Sequence, residues 1–100
     1  SEVILRGEVI ILGDDDADIE LSGLAILAPE GGVAVRIAAK NAAVRLQRNF
    51  LSGDQAAVRV EGFASLDLFD NILDGAEGVS APDCLDLSPA WREHNELLAP

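Results

Sequence analysis

The segments VRLQRNFLSG, at residues 44–53, and LDLFDNILDG, at residues 66–75, decide the fold of this chain. Both contain an apolar–charged–apolar triplet, then an asparagine followed by two apolar residues, and a closing glycine. A repeat of this kind indicates stacked copies of one supersecondary unit. Three matched pairs share an offset of 22 residues: Val44 with Leu66, Asn49 with Asn71, and Gly53 with Gly75.

Further segments continue the pattern. IELSGLAIL, at 19–27, precedes the first of the two repeats, and a longer turn at PEGG accounts for the 25 residues between Ile19 and Val44. AVRI, at 34–37, recurs as AVRV at 57–60, and VIIL takes the matching place at 9–12. Each unit should therefore hold three short strands separated by turns.

Short strands with regular turns are also typical of a β-sandwich. A sandwich does not explain why strands and turns recur every 22 residues, whereas a solenoid does, because stacking buries an inner face that no single coil can bury. We predict an all-β, right-handed parallel β-helix with about four coils of about 22 residues. The coils should occupy residues 2–87 of a single domain, 1–100, which is expected to be a piece of a longer chain or a processed one.

The two ends of the solenoid differ. Ser88 and Pro89 are typical of a helix start, as N-cap and first helical residue. A two-turn helix within residues 88–99 is expected to place Trp91, with Leu97 and Leu98, over the last coil. The N-terminal end begins at once with strand-like residues, so we expect the solenoid to continue upstream or to pack on another subunit.

Composition excludes several partners. With 18 acidic and 7 basic residues the net charge is −11, which opposes binding to nucleic acid and to anionic membranes. No run of apolar residues is long enough to span a membrane. The single cysteine, Cys84, is interpreted as a buried apolar residue.

The repeat also predicts which side chains face inward. Asn49 and Asn71 fall at the same bend, where stacked amides can bond to the turn backbone, and Leu24 holds the equivalent place one coil earlier. The strands AVRI and AVRV form what we call the third face. Arg36 and Arg59 should stack on its outside, with Glu61 and Asp54 as partners. The inner stacks are Ile19, Leu21, Val44, Leu46, Leu66, Leu68, Leu85 and Leu87 on the first face, and Val35, Ile37, Val58 and Val60 on the third.

The stretch AVRLQRNFLSGDQAAVRVEGFASLDLFDNILDG, at 43–75, resembles the right-handed β-helix repeats of the pectate-lyase-like superfamily, which includes carbohydrate-binding and sugar-hydrolase types. The resemblance covers roughly residues 3–87. It implies an extracellular or cell-surface setting and polysaccharide as a partner. It also implies that an active site, where one exists, lies on the first face.

Charged residues should form a column on the outside of that face. They can line a saccharide groove, or they can be a solvated surface on which Arg45 pairs with Asp67. Asp67 and Asp70 are the candidates for acid–base catalysis, which needs two carboxylates. Related lyases use Lys, Arg or His bases, yet the only lysine and histidine are Lys40 and His94. The column comprises Glu20, Arg45, Asp67 and Asp86, flanked by Gln47, Arg48 and Asp70.

Asp14, Asp16 and Asp18 alternate as in the start of a calcium loop. Ile19 stands where that loop requires glycine, and Ala25 where it requires glutamate. We therefore expect no cofactor and interpret the segment as an acidic turn, with calcium as the alternative.

The expected function is a non-catalytic β-helical scaffold or binding segment of a larger or oligomeric protein, with carbohydrate as the candidate ligand. One alternative is part of a carbohydrate-active lyase, epimerase or hydrolase. A second is an oligomerisation module in which a copy of the chain is the partner.

Overall fold

The computed structural model describes residues 3–13, 18–39, 41–62, 64–81, 86–87 and 91–98. Strands account for 66% of the structure, and none of the helices in these segments is long and apolar enough to cross a membrane. The elements in chain order are β1 (Val3–Arg6), β2 (Val9–Gly13), β3 (Asp18–Ser22), β4 (Leu24–Leu27), β5 (Val33–Ala39), β6 (Ala42–Gln47), β7 (Phe50–Ser52), β8 (Ala56–Val60), β9 (Ala64–Phe69), β10 (Ile72–Asp74), β11 (Glu77–Ser80), β12 (Asp86–Leu87), α1 (Trp91–His94) and β13 (Glu96–Leu97).

Every strand pairs in parallel with the strand three positions away in the chain, which confirms the parallel solenoid. The pairing produces three sheets. Sheet A has the order β1-β4-β7-β10-β13, sheet B the order β2-β5-β8-β11, and sheet C the order β3-β6-β9-β12. Parallel pairing between successive coils leaves each coil with one strand in each sheet.

The structure has about three turns, so the expected count of about four coils was slightly too high. Strands β2 to β4, β5 to β7 and β8 to β10 form complete coils. The final set is incomplete, because β12 and β13 have only two residues each. A helix stands before β13, where a regular coil has only a bend.

The register confirms the sequence repeat in the central coils. Val44 pairs with Leu66, and Ile19 pairs with Val44 across the longer turn. On sheet B, Arg36 pairs with Arg59, as expected. Like residues therefore lie one strand spacing apart, at about 4.8 Å.

Inward-facing aliphatic side chains fill the solenoid. Alternation along each strand sends every second side chain inside, so β6 and β9 show buried and more exposed residues in turn. Burying each of these aliphatic side chains contributes about 1.5–3 kcal/mol. The predicted inner residues of the central coils, Val35, Ile37, Val44, Leu46, Val58, Val60, Leu66 and Leu68, are all buried, and sheet A adds Ile26, Leu51 and Leu73.

A ladder of asparagines lies at the bend between sheets C and A. The Asn49 backbone N–H donates to Asn71 Oδ1 at 2.9 Å, and the Asn71 backbone N–H donates to Asn95 Oδ1 at 2.9 Å. Each side-chain amide also donates to a carbonyl of sheet C: Asn49 to Leu21, Asn71 to Leu46 and Asn95 to Leu68. The ladder therefore has three rungs, one more than the sequence predicted.

The residues that precede Asn49 and Asn71 adopt a left-handed backbone conformation. Arg48 has φ 56° and Asp70 has φ 58°, and Gly23 takes the same place before Leu24 with φ 70°. This conformation is uncommon for residues with a Cβ atom. It turns the chain sharply, so that the next residue points its side chain into the bend.

The C-terminal cap is shorter than predicted. Helix α1 ends at His94, because Asn95 leaves the helical path, joins the ladder and starts β13. Trp91 is buried against the core, as expected, while Leu97 lies in β13 beside Leu73 and is half-buried. Leu98 is 46% exposed. Residues 88–90, with the predicted N-cap, lie outside the described residues.

Replacing Asn71 with alanine should lower the free energy of unfolding by about 1–3 kcal/mol, because the Leu46 carbonyl and the Asn49 N–H lose their buried partner. Chemical denaturation measures the change. Ser65→Ala, on the exposed outside of β9, is the control and should have little effect. An unchanged denaturation midpoint for Asn71→Ala would contradict the structural role of the ladder.

Gly75→Ala should destabilise the fold by about 1–3 kcal/mol, because its Cβ atom would press on the backbone of the coil below. That atom would meet the Gly53 carbonyl oxygen and would lie 3.2 Å from the Ala57 nitrogen. Gly78→Ala is the matched comparison, since its Cβ would meet the flexible end of Leu97 at 2.9 Å. Thermal melting should show the larger loss for Gly75→Ala, and equal losses would argue against tight backbone stacking.

Candidate functional site

The outer face of sheet C carries the expected charged column over three coils. Glu20 pairs with Arg45, and Arg45 pairs with Asp67 in the register. Arg45 Nε lies 3.8 Å from Asp67 Oδ2, and the two side chains are 57% and 44% exposed. The expected Arg45–Asp67 pair therefore forms, but it is loose and well solvated.

The position predicted for Asp86, the fourth member of the column, is wrong. Asp86 pairs with Ser65 and Leu87 pairs with Leu66, whereas the sequence reasoning placed Asp86 beside Asp67. The triplet LDL occurs at 66–68 and again at 85–87, and matching the two copies shifts the strand by two residues. A shift of two keeps each residue on the same face, so only the position along the strand was wrong. Leu85 lies outside the described residues.

A shallow depression lies beside the column. Its volume is about 230 Å³, which is below the usual range for small-molecule pockets. Ala43 and Ser65 are small and are neighbours in the register, so the larger side chains around them form its rim. Its lining residues are Asp18, Ala43, Val44, Arg45, Ser65, Leu66 and Asp67.

The rim residues Arg45 and Asp67 were predicted from the sequence, whereas the floor residues were not. Ala43 and Ser65 stand two residues before Arg45 and Asp67, at outward positions of the same strands. Small residues at these two positions, aligned in successive coils, were the available signal. They matter because a ligand can approach the sheet only where the outward side chains are short.

The other predicted binding residues lie at the bend between sheets C and A. Arg48 and Asp70 are both exposed and adopt the left-handed conformation. They line a second depression, of about 450 Å³, together with Asn49, Phe50 and Ile72. Asp67 and Asp70, the expected carboxylate pair, thus line two different depressions.

The outer side of sheet B, which is the predicted third face, carries a network of alternating charges. Arg36 Nε donates to Glu8 Oε1 at 2.9 Å, and Arg36 also bonds to Glu61. Arg59 Nε lies 3.7 Å from the same Glu61 carboxylate. The bond to Glu8, reinforced by the nearby Glu61, raises the pKa of Arg36. Glu61 is thus confirmed as the partner, whereas Asp54 accepts a hydrogen bond from the Gly31 N–H instead.

The candidate ligands of the calcium alternative lie only partly within the described residues. Asp14 and Asp16 lie outside the described residues, as do Lys40 and Cys84, whereas Asp18 is exposed and lines the sheet C depression. Within the described ranges, no three His, Cys, Asp or Glu residues are grouped so as to hold a metal ion. His94 is exposed at the end of α1, with its ring 5.0 Å from that of Phe69.

Comparison of the chain with protein-family models, with curated proteins and with solved structures gives no match.

Glu61→Gln should lower the melting temperature, because it leaves the stacked Arg36 and Arg59 side chains with less compensating charge. The loss should shrink at high salt, which screens repulsion between exposed charges. Glu77→Gln on the edge strand β11 removes the same charge from the chain and is the control. An equal shift for both variants would show that total charge, rather than this network, sets the effect.

Proposed function

We propose that the chain is a non-catalytic β-solenoid scaffold that binds the hydroxyl groups of a saccharide in the sheet C depression. The observation that carries the proposal is the solvated Arg45–Asp67 pair above a floor of Ala43 and Ser65. An exposed pair at 3.8 Å contributes little stability, so a ligand can separate it at small cost.

The chemistry of the depression suits hydroxyl groups. Arg45 donates hydrogen bonds, Asp18 and Asp67 accept them, and the Ser65 hydroxyl does both. With two carboxylates and one guanidinium group, the depression favours a neutral sugar over a uronate. The likeness of the repeats to pectate-lyase-like β-helices supports a saccharide ligand, and membership of that superfamily is part of this proposal.

A scaffold is preferred to an enzyme with Asp67 and Asp70 as its catalytic pair, because these two carboxylates lie apart. Acid–base hydrolysis of a glycoside needs two carboxylates on either side of one bond. Asp67 and Asp70 line separate depressions, so they do not converge on one substrate atom. A cell-surface or extracellular setting follows from the same likeness and belongs to the proposal.

Titration of isotope-labelled protein with neutral oligosaccharides, followed by NMR, tests the proposal. Amide shifts should concentrate at Ala43, Arg45, Ser65 and Asp67, and Arg45→Ala should weaken binding at least tenfold. Arg59→Ala, which removes an equally outward-facing arginine from sheet B, is the control and should bind normally. Uronate oligosaccharides should bind more weakly than neutral ones.

Two results would overturn the proposal. One is saccharide binding that Arg45→Ala leaves unchanged, since the ligand would then lie elsewhere. The other is conversion of the oligosaccharide to products that Asp67→Asn abolishes, since that would establish the catalytic alternative.

A further inference from the structure

The N-terminal edge of the solenoid is formed by the first strand of each sheet. Strands β1, β2 and β3 are the terminal strands of sheets A, B and C. Within the described residues, each pairs on one side only. Their free sides present unpaired backbone N–H and C=O groups, which are a template for a further strand.

This edge is also apolar. Five of the six large exposed apolar side chains in the described residues belong to β1 and β2, and the sixth is Leu98 at the opposite end. An exposed apolar cluster on a strand edge is typical of an interaction site. The exposed fractions are 50% for Val3, 57% for Ile4, 39% for Leu5, 53% for Ile10 and 75% for Leu12.

Two of these side chains point away from the core. Ile10 is in register with Arg36 and Arg59, and Leu12 is in register with Ala38. The outward column that contains Ile10 is thus charged in the following two coils and apolar only at the edge. A coil end that faces water would be better solvated by a charged residue at the position of Ile10, such as the arginine found there in the next coil.

We propose that two copies of this chain associate edge to edge, around a two-fold axis that passes through β2. In that arrangement β2 pairs antiparallel with β2 of the partner subunit, and the axis lies at Ile11. Ile10 then lies opposite Leu12 of the partner subunit, so that the two outward apolar residues cover each other.

The charges on the edge select this axis among the three that a three-sided coil allows. An axis through β3 would bring the acidic residues Asp18 and Glu20 against their own copies. An axis through β1 would place apolar β2 against acidic β3. With the axis through β2, β1 of each copy lies over β3 of the other, and Arg6 meets the carboxylates of Asp18 and Glu20 of the partner subunit.

Head-to-tail stacking fits less well. In the described part of the C-terminal edge, β11 and β13 carry the exposed carboxylates of Glu77 and Glu96, and Trp91 packs there against the core. The apolar edge would therefore meet carboxylates. Such a contact would also repeat without closing and would produce filaments instead of dimers.

Sedimentation of the full chain over a wide concentration range tests the proposal, with circular dichroism to check folding. The protein should form a dimer and nothing larger. Ile10→Lys should raise the dissociation constant at least tenfold without unfolding the chain, since this side chain points outward. Leu98→Lys, at the other apolar position, is the matched control and should leave the dimer intact.

Charge reversal tests the position of the axis. Arg6→Glu should weaken the dimer, and Arg6→Glu combined with Glu20→Arg should restore it. A monomer at every concentration, open-ended growth, or a dimer that Leu98→Lys disrupts and Ile10→Lys does not would overturn the proposal. Failure of the double reversal to restore a dimer of folded chains would overturn the axis through β2.

Discussion

Hydrogen bonding at the bend between sheets C and A is the constraint on which the coil shape depends. A sharp bend removes backbone groups from the sheet ladders, and inside a narrow solenoid no water is available to replace the lost partners. Asn49 and Asn71 are only 3% and 1% exposed. Their amides bond both to the coil below and to the next asparagine above. One side chain per coil therefore satisfies the bend and aligns successive coils.

Alignment at that bend then sets the register of the sheets on both sides of it. When Asn71 lies over Asn49, Leu66 must lie over Val44 and Asp67 over Arg45. The buried stack and the charged column are consequences of the same register, viewed from the two faces of one sheet. The depression on sheet C arises in the same way, because Ser65 is brought next to Ala43. A binding surface on this fold is therefore a property of several coils and cannot be assigned to one segment.

The sequence predicted this register where it also marked the length of the turn, as PEGG does between Ile19 and Val44. It failed at the last coil, where nothing marked the change of length. Val44 and Leu66 are 22 residues apart, but Leu66 and Leu87 are 21 apart, and the repeated LDL triplet suggested 19. Asn95 was missed for another reason: the apolar–charged–apolar triplet at 85–87 ends eight residues before it instead of three, and its neighbours favour a helix. The prediction followed the helix propensity of the neighbouring residues. In the structure, the hydrogen bonds of the ladder determine the position of Asn95. The rim residues of the site were predictable from alternation, but its floor required the lateral alignment of two small side chains.

The two ends of the solenoid show what stacking alone does not provide. Each internal coil receives partners for its backbone and its core from the coils on either side, whereas a terminal coil receives them from one side only. At the C-terminal end, the chain closes the core with Trp91 and completes the ladder with Asn95, whose side chain also donates to the Trp91 carbonyl. At the N-terminal edge, β1 has exposed residues at all four positions, and the outward column of β2 is apolar where later coils carry arginine. The repeat that fills the interior thus leaves exposed apolar side chains on β1 and β2 at the described N-terminal edge, in contrast to the closed C-terminal end.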